Sequence, residues 1–432
     1  MKKIGIRIED KYLMERRVAI TPEVVKEVIN NNNVSIEVES SKKRVFTDEE
    51  YREAGANIVD KLENLDIIFG VKEMPIDFFE EEKTYIFFSH TIKGQEYNMP
   101  LLKKMMEKRI NLIEYEKVAD DSGKRLIFFG RFAGIAGMIN SFWSFGQRCK
   151  LQGYDTPFAK LRQSHTYSSL SEAIEDIKTV AAELKSTGIH DDLAPLTIGF
   201  TGYGNVSKGA QEIVDLFEIE DVNPNELSSI NKDYRNNCIY KVVFKEKDIS
   251  KPKDTSKEFE LQHYYTNADC YENNFEQYVP YLTILMNCMY WAPEYPRIIT
   301  KDFLAELYSK DERKLCVIGD VTCDPDGSIE STHIGTFIED PVFVYNPETR
   351  QASMGFEGEG ILTMAVDILP SELPREASEA FSAALKPFIK GLIETDFSDS
   401  FDEMKLPKPL KNALILHRGE FTPDFKYMEE FL

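Results

Sequence analysis

The sequence lacks the features that mark membrane, secreted and metal-binding proteins. No apolar run is long enough to span a bilayer, and the N-terminal stretch MKKIGIRIED has no apolar signal-peptide core. The six cysteines show no CxxC spacing and no His/Cys cluster, so no metal site is predicted. We expect a protein of the reducing cytoplasm that neither crosses nor binds a membrane.

Positive charge is also scarce. The chain has 52 Lys and Arg against 74 Asp and Glu, which gives a net charge of −22. This balance disfavours nucleic acid and anionic membranes as partners and leaves small molecules as the expected ligands. At 432 residues, the chain is expected to form two or three domains. Assembly into a homo-oligomer is left open.

One stretch, LTIGFTGYGNVSKGAQEIVDLF (196–217), predicts a buried strand, a glycine turn and the start of a helix. Gly202 and Gly204 permit a tight turn and a close approach of the backbone to a ligand. The N–H groups at such a helix start can hold a pyrophosphate. Ser207 stands where a third glycine is usual, and it is small enough for helix–strand packing. The pattern favours a dinucleotide site over an ordinary strand-to-helix turn.

Strands alternate with helices along most of the chain, which predicts an α/β fold with mostly parallel sheets. The predicted strands include 3–9, 34–38, 66–71, 85–88, 111–115, 125–129 and 314–319. Helices are predicted to begin at Pro22 and near Tyr51, and to cover 101–108, 133–147, 169–185 and 375–392. Residues 241–262 are rich in charge and are predicted to form a surface loop or insertion.

Ionisable residues stand at the ends of several predicted strands in the N-terminal region. They are Lys72, Glu73, His90 and Glu116, with Arg17 after the first strand and Arg125 opening the last. Because ligands bind beyond the carboxyl ends of parallel strands, these residues are candidates for one site. A desolvated lysine and a histidine can exchange protons with a substrate nitrogen, and arginine suits a substrate carboxylate. Each also has an ordinary explanation, such as a solvated lysine or a surface ion pair.

Eight stretches, in chain order, resemble a known superfamily. They are ERRVAITP (15–22), GVKEMP (70–75), FFSHTIKGQEYNMPLL (87–102), LIEYEK (112–117), FAGIAGMIN (132–140), FTGYGNVSKGAQEI (200–213), IGDVTCDPDGSIE (318–330) and EGEGILTMAVDILPSELPREASE (357–379). The chain resembles the alanine dehydrogenase, saccharopine dehydrogenase and transhydrogenase N-terminal superfamily. Within it, FSHTIKGQ and AGMIN favour the lysine–2-oxoglutarate reductase portion of the bifunctional α-aminoadipic semialdehyde synthases over the fungal saccharopine dehydrogenases.

The resemblance implies an NAD(P)-dependent oxidoreductase that condenses L-lysine with 2-oxoglutarate and reduces the imine to saccharopine. It implies that Lys72 and His90 are the acid–base pair. The substrate-binding or tuning residues that it implies are Arg17, Glu73, Glu116 and Arg125. The cofactor-binding residues that it implies are Gly202, Gly204, Asn205, Val206, Asp221 and Asp320. Asp221 is the candidate for the acidic residue that usually contacts the ribose, and no arginine stands nearby for a 2′-phosphate, so NAD and NADP both stay open.

The superfamily fold implies two Rossmann-like domains with the active site in the cleft between them. The substrate domain is expected at 1–130 plus 373–432 and the dinucleotide-binding domain at 131–372. Only the reductase half of the bifunctional enzymes is matched, which implies a free-standing reductase or a separately encoded dehydrogenase partner. The sequence leaves open a lysine-forming, NAD-dependent saccharopine dehydrogenase, an alanine-dehydrogenase-like activity, and an inactive nucleotide-binding partner protein.

Overall fold

A computed structural model describes residues 1–230, 234–310 and 314–432. The chain divides into two compact units, Met1–Phe129 with Pro374–Leu432, and Gly130–Leu373. The bounds predicted from the sequence differ from these by one residue. Among the described residues, no helix combines the length and apolarity that a bilayer crossing requires.

The strands, in chain order, are β1 (Lys2–Ile6), β2 (Val34–Glu39), β3 (Asn57–Val59), β4 (Ile67–Phe69), β5 (Thr84–Phe87), β6 (Asn111–Glu114), β7 (Leu196–Thr201), β8 (Ile219–Asp221), β9 (Ile239–Phe244), β10 (Ser250–Pro252), β11 (Tyr271–Asn273), β12 (Ile284–Asn287), β13 (Val317–Asp320), β14 (Val342–Asn346), β15 (Gln351–Met354), β16 (Ile361–Met364), β17 (Leu414–His417) and β18 (Glu420–Phe421). The α-helices are α1 (Pro22–Asn31), α2 (Asp48–Glu53), α3 (Met99–Glu107), α4 (Gly130–Leu151), α5 (Leu170–Thr187), α6 (Asn205–Val214), α7 (Leu227–Ile230), α8 (Glu246–Ile249), α9 (Leu261–Thr266), α10 (Lys301–Tyr308), α11 (Pro374–Glu394) and α12 (Lys408–Asn412).

The first unit contains an eight-stranded sheet in the order β18-β17-β6-β5-β4-β1-β2-β3. The six strands from the N-terminal segment are parallel, so their carboxyl ends share one edge of the sheet. The C-terminal segment adds β17 antiparallel to β6, and it packs α11 against the N-terminal segment. In that packing, Ser378 and Ser382 of α11 accept hydrogen bonds from the backbone N–H groups of Val18 and Thr21, each at 3.0 Å. The two distant parts of the chain therefore build one core.

The described part of the second unit contains an eight-stranded sheet in the order β15-β14-β16-β13-β12-β7-β9-β8. Six adjacent strands of this sheet are parallel: β16, β13, β12, β7, β9 and β8. The other two, β14 and β15, are antiparallel additions at one edge. Both sheets are therefore largely parallel, and the predicted α/β class is confirmed.

Helices α4 and α6 cross with their backbones in contact. A Cβ added to Gly134 of α4 would lie 1.9 Å from the Val206 carbonyl oxygen, and one added to Gly209 of α6 would lie 2.0 Å from the Arg131 carbonyl oxygen. Neither position has room for a side chain. Ser207 is also buried, and it accepts a hydrogen bond from the Gln211 amide at 2.9 Å.

Two predictions about local structure are wrong. Residues 125–129 form no strand: Arg125 makes an isolated bridge to Ala119, and the sheet position beside β6 belongs to β17. Residues 241–262 are not simply a surface loop, because they begin with the last four of the six residues of β9, which lies in the core next to β7. In both cases the deciding partner is distant in sequence, so local pattern alone does not reveal it.

Candidate active site

Lys72 follows β4, and a buried carboxyl group holds its backbone in place. Glu9, which lies just beyond β1, accepts hydrogen bonds from the backbone N–H groups of Val71 at 2.7 Å and Lys72 at 2.9 Å. The Lys72 ammonium lies 5.6 Å from the centre of the Tyr12 ring. Burial and the charge of Glu15 raise the pKa of Glu9 to about 8, although the two backbone donors act against this shift. Glu9 thus fixes the strand end that presents Lys72.

His90 follows β5 in the same manner, and its backbone is left-handed with φ of 53°. Such a conformation costs about 1–3 kcal/mol for a residue other than glycine and persists only where surrounding contacts impose it. Here Glu114 of β6 accepts hydrogen bonds from the Ser89 hydroxyl at 2.6 Å and from the N–H groups of Ser89 and His90 at 2.8 and 3.2 Å. Burial raises the pKa of Glu114 against the effect of these donors. A second buried carboxylate therefore fixes the second candidate proton carrier.

Glu73 connects His90 to a lysine. Its Oε1 lies 2.7 Å from His90 Nδ1 and accepts a hydrogen bond from Lys11 Nζ at 2.7 Å. Burial alone would raise the pKa of Glu73, but His90 and Lys11 lower it to about 2, so the carboxylate is ionised at neutral pH. An ionised carboxylate only accepts hydrogen bonds, so His90 Nδ1 carries the proton and Nε2 is the nitrogen left to exchange protons with a ligand.

Arg17 is buried beside this cluster. It makes a bidentate ion pair with Glu15, with Nε–Oε1 and Nη2–Oε2 distances of 2.8 and 2.6 Å, and its guanidinium lies 4.1 Å from the centre of the Phe129 ring. Burial would raise the pKa of Glu15, but Arg17 and the charge of Lys72 lower it below its ordinary value. Arg17, Glu15 and Lys72 therefore form one electrostatically linked group, and Nη1 of Arg17 is not used by Glu15.

The other two predicted substrate residues pair with each other. Arg125 Nη1 lies 3.8 Å from Glu116 Oε1, and the side chains are 43% and 26% exposed. An ion pair this exposed contributes little to stability. Glu116 also donates its backbone N–H to Glu114 Oε1 at 3.1 Å, which ties its position to the carboxylate behind His90.

The glycine turn of the second unit lies between β7 and α6. Gly202 has φ of 76°, and a Cβ there would come within 3.3 Å of Met289. At Gly204 an added Cβ would meet no described atom within 4 Å, so the backbone is open to a ligand from that side. Gly204 is the N-cap of α6 and has no side chain to satisfy the N–H groups of the first helical turn, which include those of Asn205 and Val206. These features fit the pyrophosphate of a dinucleotide.

A cavity of about 340 Å³ lies against this turn. Its walls are Gly202, Tyr203, Gly204, Glu246, Ile249, Tyr264, Tyr265, Cys288, Met289, Tyr290 and Tyr295. Most of these side chains are apolar or aromatic, and Glu246 is the acidic member. A largely apolar wall with a few polar groups is typical of a site for a small ligand.

The two acidic residues predicted at this site lie in different surroundings. Asp221 ends β8 at the outer edge of the sheet, where its side chain is 79% exposed and 3.2 Å from Lys241 Nζ. Asp320 ends β13 and is buried. Its carboxylate accepts hydrogen bonds from Asn287 at 2.8 Å and from Thr322 and Thr332, each at 2.6 Å. The bond from Asn287 joins the ends of the neighbouring strands β12 and β13, and the two threonines tie the loop after β13 to the same carboxylate.

The structure adds residues that the sequence analysis did not single out. They are Glu9, Lys11, Glu15 and Glu114 around Lys72 and His90, and Glu246 beside the glycine turn. An acidic residue inside or directly after an apolar strand was the available signal, as in LIEY for Glu114 and VVFKE for Glu246. The signal does not say which backbone groups such a carboxylate holds.

Comparison with known proteins confirms the resemblance. Residues 5–136 match the family model described as Alanine dehydrogenase/PNT, N-terminal domain. Two solved structures are similar in fold: an L-alanine dehydrogenase, with a TM-score of 0.64, 16% identity and full coverage of both chains, and the transhydrogenase from Sinorhizobium meliloti, with a TM-score of 0.58, 14% identity and coverage of 98% of this chain and 100% of the other. The class of the fold is thus that of the alanine dehydrogenase type.

Similarity in sequence points to a narrower group of proteins than similarity in fold. The chain is 37% identical over 443 residues to alpha-aminoadipic semialdehyde synthase of Arabidopsis thaliana, which covers 98% of this chain and 41% of that protein. It is 32% identical over 441 residues to the mitochondrial enzyme of Mus musculus, covering 99% and 47%. The chain therefore spans less than half the length of these relatives. The NAD(+), L-lysine-forming saccharopine dehydrogenase of Emericella nidulans is 27% identical over 89% of this chain and 90% of its own length.

Proposed function

We propose that this protein is an NAD(P)-dependent oxidoreductase that acts on the C–N bond of an amino acid, by reductive condensation of L-lysine with 2-oxoglutarate to saccharopine. The observation that carries the proposal is the hydrogen-bonded series Lys11, Glu73 and His90 next to Lys72, at strand ends of a chain similar throughout to alpha-aminoadipic semialdehyde synthases. The glycine turn and the cavity beside it support a dinucleotide as the cofactor.

The reaction has two proton-dependent stages. The side-chain amine of lysine adds to the ketone, and loss of water gives a C=N bond; addition of hydride to carbon and a proton to nitrogen then gives the secondary amine. Bound reduced nicotinamide supplies the hydride. Lys72 and His90 Nε2 move the protons, to the departing hydroxyl in the first stage and to nitrogen in the second. General acid–base groups of this kind contribute about 10²–10⁴-fold to rate.

The substrates are held by charge. Arg17, through the nitrogen not used by Glu15, and Arg125 bind substrate carboxylates. Glu73 Oε2 is buried without a hydrogen-bond partner among the described residues, which leaves an acceptor for the substrate ammonium. Glu116, which lies 3.8 Å from Arg125, is proposed to bind or tune the substrate amine.

The cofactor contacts are made mainly by backbone. Gly202, Gly204, Asn205 and Val206 are proposed to surround the pyrophosphate. Asp320 supports this site by fixing the strand ends around it, since its carboxylate is already saturated with donors. The cytoplasmic location stays a prediction from the sequence, and the names of the mouse, rat and bovine relatives include the word mitochondrial.

The test is a direct assay. Purified protein is mixed with lysine, 2-oxoglutarate and NADH or NADPH, and the absorbance of the reduced cofactor is followed. Oxidation should require both substrates and should stop when lysine is replaced by norleucine, which lacks the side-chain amine. Saccharopine with oxidised cofactor tests the reverse, lysine-forming direction. Alanine with oxidised cofactor tests the smaller substrate. No redox change in any of these mixtures would favour the inactive partner protein.

A further inference from the structure

The strand order of the second unit places Asp221 away from the glycine turn, where it is poorly placed to bind the ribose of a dinucleotide. In dinucleotide-binding sheets, an acidic residue that follows the glycine turn in sequence binds the ribose hydroxyls of the adenosine half. Such a residue can reach the ligand only if its strand ends near the turn. Here the neighbour of β7 is β9, and β8 lies beyond it at the outer edge. Asp221 therefore stands one strand too far out, where it pairs with Lys241.

The end of β9 lies directly beside the glycine turn. Thr201 pairs with Phe244 in the parallel register, and the Gly202 N–H donates to the Phe244 carbonyl oxygen at 3.0 Å. Two residues further on, Glu246 reaches the cavity that Gly202 and Gly204 also line. The sequence pattern did not indicate Glu246, because it comes 44 residues after Gly202 and the usual spacing is about twenty.

The carboxylate of Glu246 is oriented by two tyrosines. Tyr265 and Tyr203 donate their hydroxyls to its Oε1 at 2.9 and 3.4 Å. Burial and the charge of Glu246 raise the pKa of Tyr265, so this hydroxyl stays protonated and remains a donor. Both bonds fall on one oxygen, which leaves Oε2 to accept hydrogen bonds from a ligand.

Lys245 and Lys241 do not cancel this charge on the cavity wall. Lys245 is exposed, with its ammonium 6.0 Å from the centre of the Tyr203 ring, and it is not part of the cavity lining. Lys241 is engaged by Asp215 at 2.9 Å and by Asp221 at 3.2 Å. The cavity wall therefore presents a carboxylate.

We infer that Glu246 binds the adenosine ribose hydroxyls and makes the protein selective for NAD(H) over NADP(H). A carboxylate accepts two hydroxyl hydrogen bonds, whereas a 2′-phosphate replaces a donor with a second anion and is repelled. The inference rests on the proposed dinucleotide site but not on the identity of the substrates.

Binding titrations without substrate test the inference. Affinities for NADH and NADPH are measured by calorimetry on wild type, Glu246→Ser, Glu246→Gln and Asp221→Ser. Wild type should bind NADH at least ~10-fold more tightly than NADPH, and both Glu246 variants should lose most of this ratio. Asp221→Ser represents the position expected from sequence and should keep it.

Equal binding of both cofactors by wild type, or tighter binding of NADPH, would overturn the inference while leaving the dinucleotide site intact. So would a loss of selectivity in Asp221→Ser but not in the Glu246 variants. Loss of NADPH binding in Lys245→Ala would assign the 2′ position to that lysine instead. Binding of neither cofactor would refute the proposed dinucleotide site itself.

Discussion

In the first unit, the carboxyl edge of the sheet is crowded with buried carboxylates and cations. In the second unit, the corresponding edge presents a glycine turn, bare helix N–H groups and a wall of tyrosines. Both sheets are largely parallel and both use the same edge. The difference lies in what is held still: side chains that can titrate in one unit, and backbone amides in the other. Substitutions in the first unit should therefore impair proton transfer but not dinucleotide binding. Substitutions at the glycine turn of the second unit should weaken dinucleotide binding.

The largest expected effect comes from removing the lysine of the first unit. Lys72→Met should reduce turnover by about 10³-fold, because a group that exchanges protons with substrate is lost. Cofactor affinity should change little, since no residue of the glycine turn is altered. Steady-state kinetics and calorimetric titration with NADH measure the two quantities. Normal turnover in this variant would remove Lys72 from the mechanism.

A smaller loss of turnover is expected when Glu9, which binds the backbone of Lys72, is replaced. Glu9→Gln should reduce turnover by about 10–100-fold, because the glutamine amide nitrogen cannot accept one of the two backbone hydrogen bonds. The ionisation near pH 8 expected for Glu9 should also disappear from the pH–rate profile.

Glu80→Gln is the matched control, because Glu80 also accepts from a backbone N–H, that of Asn64, with both oxygens. It should leave rate and pH profile unchanged. A Glu9 variant with normal rate and an unaltered profile would show that Lys72 needs no such support.

In the second unit, Gly204→Ala should weaken dinucleotide binding about 10-fold while the fold stays intact. The backbone of Gly204, with φ of −75°, suits alanine, and the added methyl group would enter the open space over the turn. Gly209→Ala is the contrasting variant, since its Cβ would collide with the Arg131 carbonyl and should lower the thermal midpoint. Unchanged affinity in Gly204→Ala would place the ligand elsewhere.

The smallest effect concerns stability. The pKa of Glu73, about 2, lies below the ordinary value of 4.5, so its contribution to stability is present above pH 4.5 and is lost as pH falls toward 2. Glu73→Gln should therefore be less stable than wild type by roughly 1–2 kcal/mol at pH 7, and the difference should shrink in acid. Urea unfolding at several pH values measures it. A constant difference would mean that His90 and Lys11 do not depress this pKa.

The sequence predicted what depends on neighbouring residues. Lys72 and His90 follow apolar strands, and the glycine turn joins a strand to a helix, so local pattern was enough to predict their places in the fold. It did not predict that β17 takes the place beside β6, or that β9 separates β8 from β7, because strand order depends on contacts distant in sequence. Glu9 and Glu114 were missed for a related reason: their positions inside or just after apolar strands do not reveal which distant backbone N–H groups they bind.

The crossing of α4 and α6 has a thermodynamic consequence. Glycines on both helices bring backbone against backbone. Helix α6 therefore cannot rotate or slide without a collision between the Val206 or Arg131 carbonyl group and the opposing helix. The N–H groups at the start of α6 are thus already ordered before any anion arrives. Little conformational entropy then remains to be lost on association, and the affinity of this helix for a ligand is set in advance by how the protein folds.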